Sequence, residues 1–138
     1  MCNREAILFM SAIALLLGHA LTENPVSSNS NTMIQIINDV EAQVHVHTHC
    51  WDKDHDLGEV SIPYQRSFEF SVKNVIFGYT NYHCSFVILD KLYHFDIYRQ
   101  RRDKNECAGR CTWSIKEDGP CLINPAGKPF DDCFRWDQ

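Results

Sequence analysis

Beyond residue 20 the 138-residue sequence has no apolar run long enough to cross a bilayer, so no direct membrane insertion is expected. It has no Asn-x-Ser/Thr sequon; Asn105-Glu106-Cys107 is only the rare cysteine variant, and N-glycosylation is not expected. The G-x-S-x-G elbow, the H-E-x-x-H zinc motif and the phosphate-binding loop are all missing, which removes the most recognisable routes to hydrolysis and nucleotide chemistry. Positive charge is short too. With 13 Lys and Arg against 18 Asp and Glu, the net charge of -5 argues against a nucleic acid held through its phosphates. There is no internal repeat and no long helical periodicity.

Cysteine, in contrast, is plentiful, with seven in a chain that supports one ordinary hydrophobic core. The first segment explains the odd one. Met1–Glu5 is a short polar head containing Arg4, and Ala6–Gly18 is a 13-residue apolar run. Gly18 and Ala20 place small residues before a cut after Ala20, the three-part pattern of a secretory signal peptide over residues 1–20. The mature protein is then secreted, extracellular and expected to be a monomer. Residues 21–32, polar and rich in Asn and Ser, read as a flexible N-terminal segment, and residues 33–138 as the folded domain.

Cleavage removes Cys2 and leaves Cys50, Cys84, Cys107, Cys111, Cys121 and Cys133. Six cysteines in an oxidising compartment read as a disulfide framework, which 15 full pairings could satisfy. Cys121 and Cys133 are symmetric about Gly127 in the turn-rich stretch Asn124–Pro129, so a hairpin there brings them opposite one another as a pair. Cys50 and Cys84 lie on the core phase of their strands, where a bridge between sheets is one solution. Cys107 and Cys111 either close the short loop between them or staple it elsewhere.

From Met33 onward the dominant period is two. Val44, Val46, Thr48 and Cys50 alternate with His45, His47 and His49; Phe68, Phe70 and Val72 follow the same rule, as do Tyr82, Cys84, Phe86 and Ile88, then Tyr93, Phe95 and Ile97. Each run buries one face and wets the other. Turn-forming residues separate runs near 33–38, 42–50, 58–62, 67–73, 80–89, 92–99, 112–116, 121–123 and 130–136. The pattern predicts an all-β fold, an antiparallel β-sandwich of about eight short strands stapled by disulfides, with one helical turn at most, over Asn74–Phe77.

Several constellations bear on chemistry. His45, His47 and His49 on one strand face suit a transition metal by type, but their spacing along the strand is awkward for a tight tetrahedron. Asp52, Asp54 and Asp56 resemble the opening of a calcium loop. Leu57 and Pro63 stand where that loop needs Gly and Glu, so an EF-hand is excluded. Arg99, Arg101, Arg102 and Lys104 form a basic cluster interleaved with Asp96, Asp103 and Glu106, an exposed loop with internal ion pairs. An acid–base pair of His49 with His83 or His94 is the one catalytic arrangement the residues offer. No metal site and no cofactor are expected.

Taken in order, Val46-His47-Thr48-His49-Cys50, Asp54-His55-Asp56-Leu57-Gly58, Phe68-Glu69-Phe70, Cys84-Ser85-Phe86 and Phe95-Asp96-Ile97-Tyr98 form a series. Arg101-Arg102-Asp103, Cys111-Thr112-Trp113-Ser114-Ile115, Asp118-Gly119-Pro120-Cys121 and Phe130-Asp131-Asp132-Cys133-Phe134-Arg135-Trp136 continue it. The series resembles the plant self-incompatibility S1 family, also called S-protein homologues, from about Met33 to Trp136. The resemblance implies a small secreted β-sandwich with disulfides and no known catalytic activity. It also implies a ligand recognised by a membrane protein on a plant cell, as the stigma-side members are by pollen. The leading expectation is therefore an extracellular signalling ligand whose loops carry recognition, with Asp52, Asp54 and Asp56 on one loop and Arg99, Arg101, Arg102 and Lys104 on another. The alternatives are a secreted histidine-dependent hydrolase and a metal-binding or defence protein.

Overall fold

The computed structural model describes residues 30–136. The leader assigned to residues 1–20 and the N-terminal segment up to residue 29 lie outside the described residues. Nine strands follow: β1 (Asn31–Asn38), β2 (Val46–Trp51), β3 (Asp56–Ile62), β4 (Ser67–Lys73), β5 (Asn81–Ile88), β6 (Lys91–Arg99), β7 (Arg110–Lys116), β8 (Gly119–Leu122) and β9 (Asp132–Cys133). One α-helix, α1 (Gln100–Cys107), joins β6 to β7, and a short 3-10 turn covers Pro125–Gly127. The strands form two sheets, ordered β4-β1-β7-β8-β9 and β3-β2-β5-β6.

The alternating runs become these strands because each has one apolar face to bury. Ile34 and Ile36 of β1, Phe86 of β5, and Trp113 and Ile115 of β7 are fully buried between the sheets. Asn38 ties the sheets together from within: its Nδ2 donates to the carbonyls of Val44 at 2.7 Å and Ile62 at 2.8 Å. At the far end Gly119 admits the C-terminal segment, since a Cβ there would lie 1.9 Å from the Phe134 carbonyl oxygen.

Besides shifts at the ends of β3, β7, β8 and β9, the structure departs from the sequence reading in five places. β1 pairs in parallel with β7, from Met33 opposite Arg110 to Asn38 opposite Ile115, although every other pairing is antiparallel. Period two reports which face a residue takes, not strand direction. β1 begins at Asn31 rather than Met33, because Thr32 is buried and accepts a hydrogen bond from Asn74 at 2.9 Å. β2 begins at Val46 rather than residue 42, because Gln43 adopts a positive φ of 57° in a turn. Residues 74–80 contain no helical turn, whereas 100–107, read as a loop, is the helix. Its buried residues are Gln100 and Asp103, so no apolar stripe announces it.

The fifth departure concerns a disulfide. Cys50 and Cys84 are bonded, but they face each other on neighbouring strands β2 and β5 of one sheet, with Cα atoms 4.1 Å apart. The bridge therefore lies within a sheet, not between the two. Cys107 and Cys111 close the short segment between α1 and β7. Cys121 and Cys133 are register partners on β8 and β9 and are bonded there.

Candidate functional site

Three segments meet at one end of the sandwich: the β2–β3 loop, the β4–β5 loop and the start of α1. The β2–β3 loop is shaped by Asp52, whose Oδ1 accepts the backbone N–H groups of Asp54 at 2.8 Å and His55 at 2.6 Å. Partial burial works against the charged form of Asp52, yet these bonds and His55 outweigh it and hold the carboxyl below its ordinary pKa. Asp56 accepts the Gly58 N–H at 2.8 Å and pairs with His49 Nε2 at 2.6 Å; those contacts hold its pKa down as well. Asp54 alone of the three is exposed with no side-chain partner among the described residues.

The basic stretch also divides. Arg102 is one-quarter exposed, and its Nε and Nη2 clamp the buried Asp103 carboxylate at 2.6 and 2.8 Å. Its guanidinium covers the rings of Phe95, Trp113 and Phe134 at 5.1–5.4 Å. The second Asp103 oxygen accepts the Arg99 N–H at 2.9 Å and so fastens the first turn of α1. Arg102 is thus part of the scaffold rather than an exposed docking charge. Arg99 pairs with Asp96 at 2.6 Å, while Arg101 lies over the Tyr79 ring at 4.7 Å. Lys104 is exposed and has no side-chain partner among the described residues.

Sequence reasoning missed the β4–β5 loop. Ile76 and Tyr79 are each 57% exposed and Phe77 is 93% exposed, although all three are large and apolar. The base of the loop is fixed while the tip projects. Gln100, from α1, accepts the N–H groups of Val75 at 3.1 Å and Thr80 at 3.0 Å and donates to the Val75 carbonyl at 2.7 Å. The signal was the run Val75-Ile76-Phe77, which falls out of the alternating phase and ends at Gly78, where φ is 91°.

The tip sits between the two charged segments. A hollow of about 710 Å³ on one side is lined by Asp52, Asp54, Phe77 and Tyr79 among others. A second, of about 550 Å³, lies against Tyr79, Arg99, Arg101 and Arg102. Tyr79 and Asn81 line both, so the structure brings Asp52, Asp54 and the three arginines around one aromatic tip. Asp56 lies outside these hollows, on the outer face of the second sheet.

That outer face carries the histidines. His49 stands opposite Ser85, and Ser85 opposite His94, across β2, β5 and β6. Trp51 lies beside them, with the His49 and His83 rings 5.3 and 5.9 Å away. His83 Nδ1 meets Asp96 at 2.5 Å. His49 and His94 line a common hollow, whereas His83 lines the larger loop-end hollow instead. The three alternating histidines do not gather: His45 meets Ser61 at 3.0 Å and His49 meets Asp56. Among the described residues no group of three His, Cys, Asp or Glu side chains could hold a metal ion.

Burial of Asp96 opposes its charge, yet hydrogen bonds from His83 and Arg99 and their positive charge win, and its pKa is lowered. With the folded pKa depressed, the unfolded chain binds more protons in the acid range, so stability falls as pH drops through that range. Urea midpoints should therefore decline below about pH 4, and Asp96→Asn should make the decline shallower. An equally steep decline in the variant would remove Asp96 from this role; Asp52 and Asp56 supply the remaining slope.

Comparison with known proteins identifies the family. The family described as Plant self-incompatibility protein S1 matches residues 33–136. S-protein homolog 2 of Arabidopsis thaliana is 38% identical over 119 residues, covering 83% of this chain and 74% of its own length. S-protein homolog 20 of the same plant is 37% identical over 106 residues, 76% of each chain. S-protein homolog 29 is 31% identical over 107 residues, 78% of each. No solved structure matches significantly. Nearly the whole two-sheet domain lies inside the family match, and the chain belongs to the plant self-incompatibility protein S1 family.

Proposed function

We propose that this protein is a secreted ligand that docks on a receptor protein at a plant cell surface through the end of the sandwich described above. The carrying observation is Phe77, 93% exposed on a loop whose base is pinned by Gln100. A large apolar side chain in water lowers solubility and serves as an anchor for a partner's pocket. Pinning the base reduces the entropy lost when the loop is captured. Asp54 on one flank and Arg101 with Lys104 on the other give the surface a polarity that orients an approaching partner. The leader read in residues 1–20 and the three disulfides suit an oxidising extracellular destination. Membership of the family supports a recognition role of the self-incompatibility type, and catalysis has no part in this reading.

Binding of labelled mature protein to target plant cells tests it. Asp54→Lys, and Arg101→Glu combined with Lys104→Glu, should weaken binding several-fold, more at low salt than at high, because exposed charges are screened. Folding should change by no more than about 0.5 kcal/mol, since these side chains are exposed. Unchanged binding in both variants would place recognition elsewhere on the molecule.

A further inference from the structure

We infer that the outer face of the β3-β2-β5-β6 sheet is a second binding site, which takes a pyranose ring of an extracellular glycan against Trp51. A pyranose has an apolar C–H face and an equatorial rim of hydroxyls. A site for it therefore combines a flat aromatic surface with hydrogen-bonding groups around the edge. The face offers that combination. Trp51 is the only tryptophan among the strand residues that point outward from this sheet, and it is partly exposed rather than built into the core. Its ring packs beside that of His49, two residues along β2, at 5.3 Å and that of His83, its register partner on β5, at 5.9 Å.

Both neighbouring imidazoles are fixed by carboxylates. His49 uses Nε2 on Asp56 at 2.6 Å, and His83 uses Nδ1 on Asp96 at 2.5 Å. Each retains its other ring nitrogen for a ligand hydroxyl, and the carboxylate settles how the ring is turned. Beside them, the Ser85 hydroxyl and the His94 imidazole make no side-chain hydrogen bond among the described residues. These groups sit on adjacent strands, about 4.8 Å apart, a spacing close to that of alternate rather than neighbouring hydroxyls on one sugar ring. The hollow bounded by His49, Trp51, Asp56, Ser85, Leu92 and His94 measures about 420 Å³, which is within the range of small-ligand sites. A metal is a poorer fit, because no three ligating side chains converge there among the described residues.

His83 also borders the larger loop-end hollow, but Trp51 and His94 line neither loop-end hollow and Phe77 does not line this one, so the two readings fail independently. The test follows the Trp51 indole N–H by NMR during titration with defined oligosaccharides. One arm uses neutral hexose and pentose oligomers, the other oligogalacturonides, which distinguishes a neutral from an acidic glycan. Saturable binding in either arm, with the Trp51 signal moving and those of Trp113 and Trp136 still, is the expected result. Trp51→Ala should weaken it at least tenfold, His94→Ala several-fold, and Phe77→Ser not at all. His94 is exposed, so its replacement remains informative if Trp51→Ala proves poorly folded. No saturable shift with any sugar up to about 10 mM, or undiminished binding in both Trp51→Ala and His94→Ala, would overturn the inference.

Discussion

Asp103→Ala is expected to destabilise the protein by about 3 kcal/mol, the lower end of the range for breaking a buried ion pair. The carboxylate is 1% exposed, accepts the Arg99 N–H that starts α1, and is clamped by two nitrogens of Arg102. Removing it strands the Arg102 guanidinium over Phe95, Trp113 and Phe134, where it is only one-quarter exposed. That residual exposure keeps the loss at the lower end. Arg101→Ala, one residue away on the exposed side, should cost less than about 0.5 kcal/mol. Chemical unfolding of the two variants side by side checks the contrast, and equal effects would contradict the assignment of Arg102 and Asp103 to the scaffold.

The disulfides should rank by the chain they enclose. Removing Cys50 and Cys84 together, whose separation is 34 residues, should cost about 4 kcal/mol in the loop-entropy model. The Cys121–Cys133 pair, separated by 12, comes to about 3 kcal/mol, and Cys107–Cys111, separated by 4, to about 2 kcal/mol. Cys50 and Cys84 are also the most central pair, each about 1% exposed in the core. Unfolding of the three double Cys→Ala variants measures the order directly. A Cys107/Cys111 variant less stable than the Cys50/Cys84 variant would show that native packing, not chain entropy, governs the bridges.

The strands were legible because burial alternates with sequence. Phe68, Phe70 and Val72 announce β4, and Tyr82 through Ile88 announce β5, without any knowledge of the neighbours. Direction and partner were not legible. Nothing in Ile36 or Trp113 tells that β1 and β7 run in parallel, since pairing across 77 residues leaves no local trace. Helix α1 was hidden for a different reason. Its inward residues are Gln100 and Asp103, which bury hydrogen bonds and a charge instead of apolar surface, and a search for apolar periodicity passes over them.

The candidate surface was half legible on the same grounds. Charged residue types can be counted in a sequence, but which charges are already spent on partners cannot. Asp52 closes its own turn, Asp56 holds His49, Arg99 holds Asp96 and Arg102 holds Asp103. Asp54, Arg101 and Lys104 remain outward. Phe77 escaped notice because an apolar residue between two strands reads as core until the fold shows it projecting.

The central claim is that recognition rests on that projecting tip. Its most direct test is equilibrium binding of labelled mature protein to target plant cells, comparing wild type with Phe77→Ser and Trp51→Ala. Phe77 is an exposed loop residue, so Phe77→Ser should leave the unfolding midpoint unchanged, and loss of a central aromatic anchor should weaken receptor binding by about 2 kcal/mol, some thirtyfold. Trp51→Ala should leave receptor binding intact. Full-strength binding by a folded Phe77→Ser variant would contradict the account.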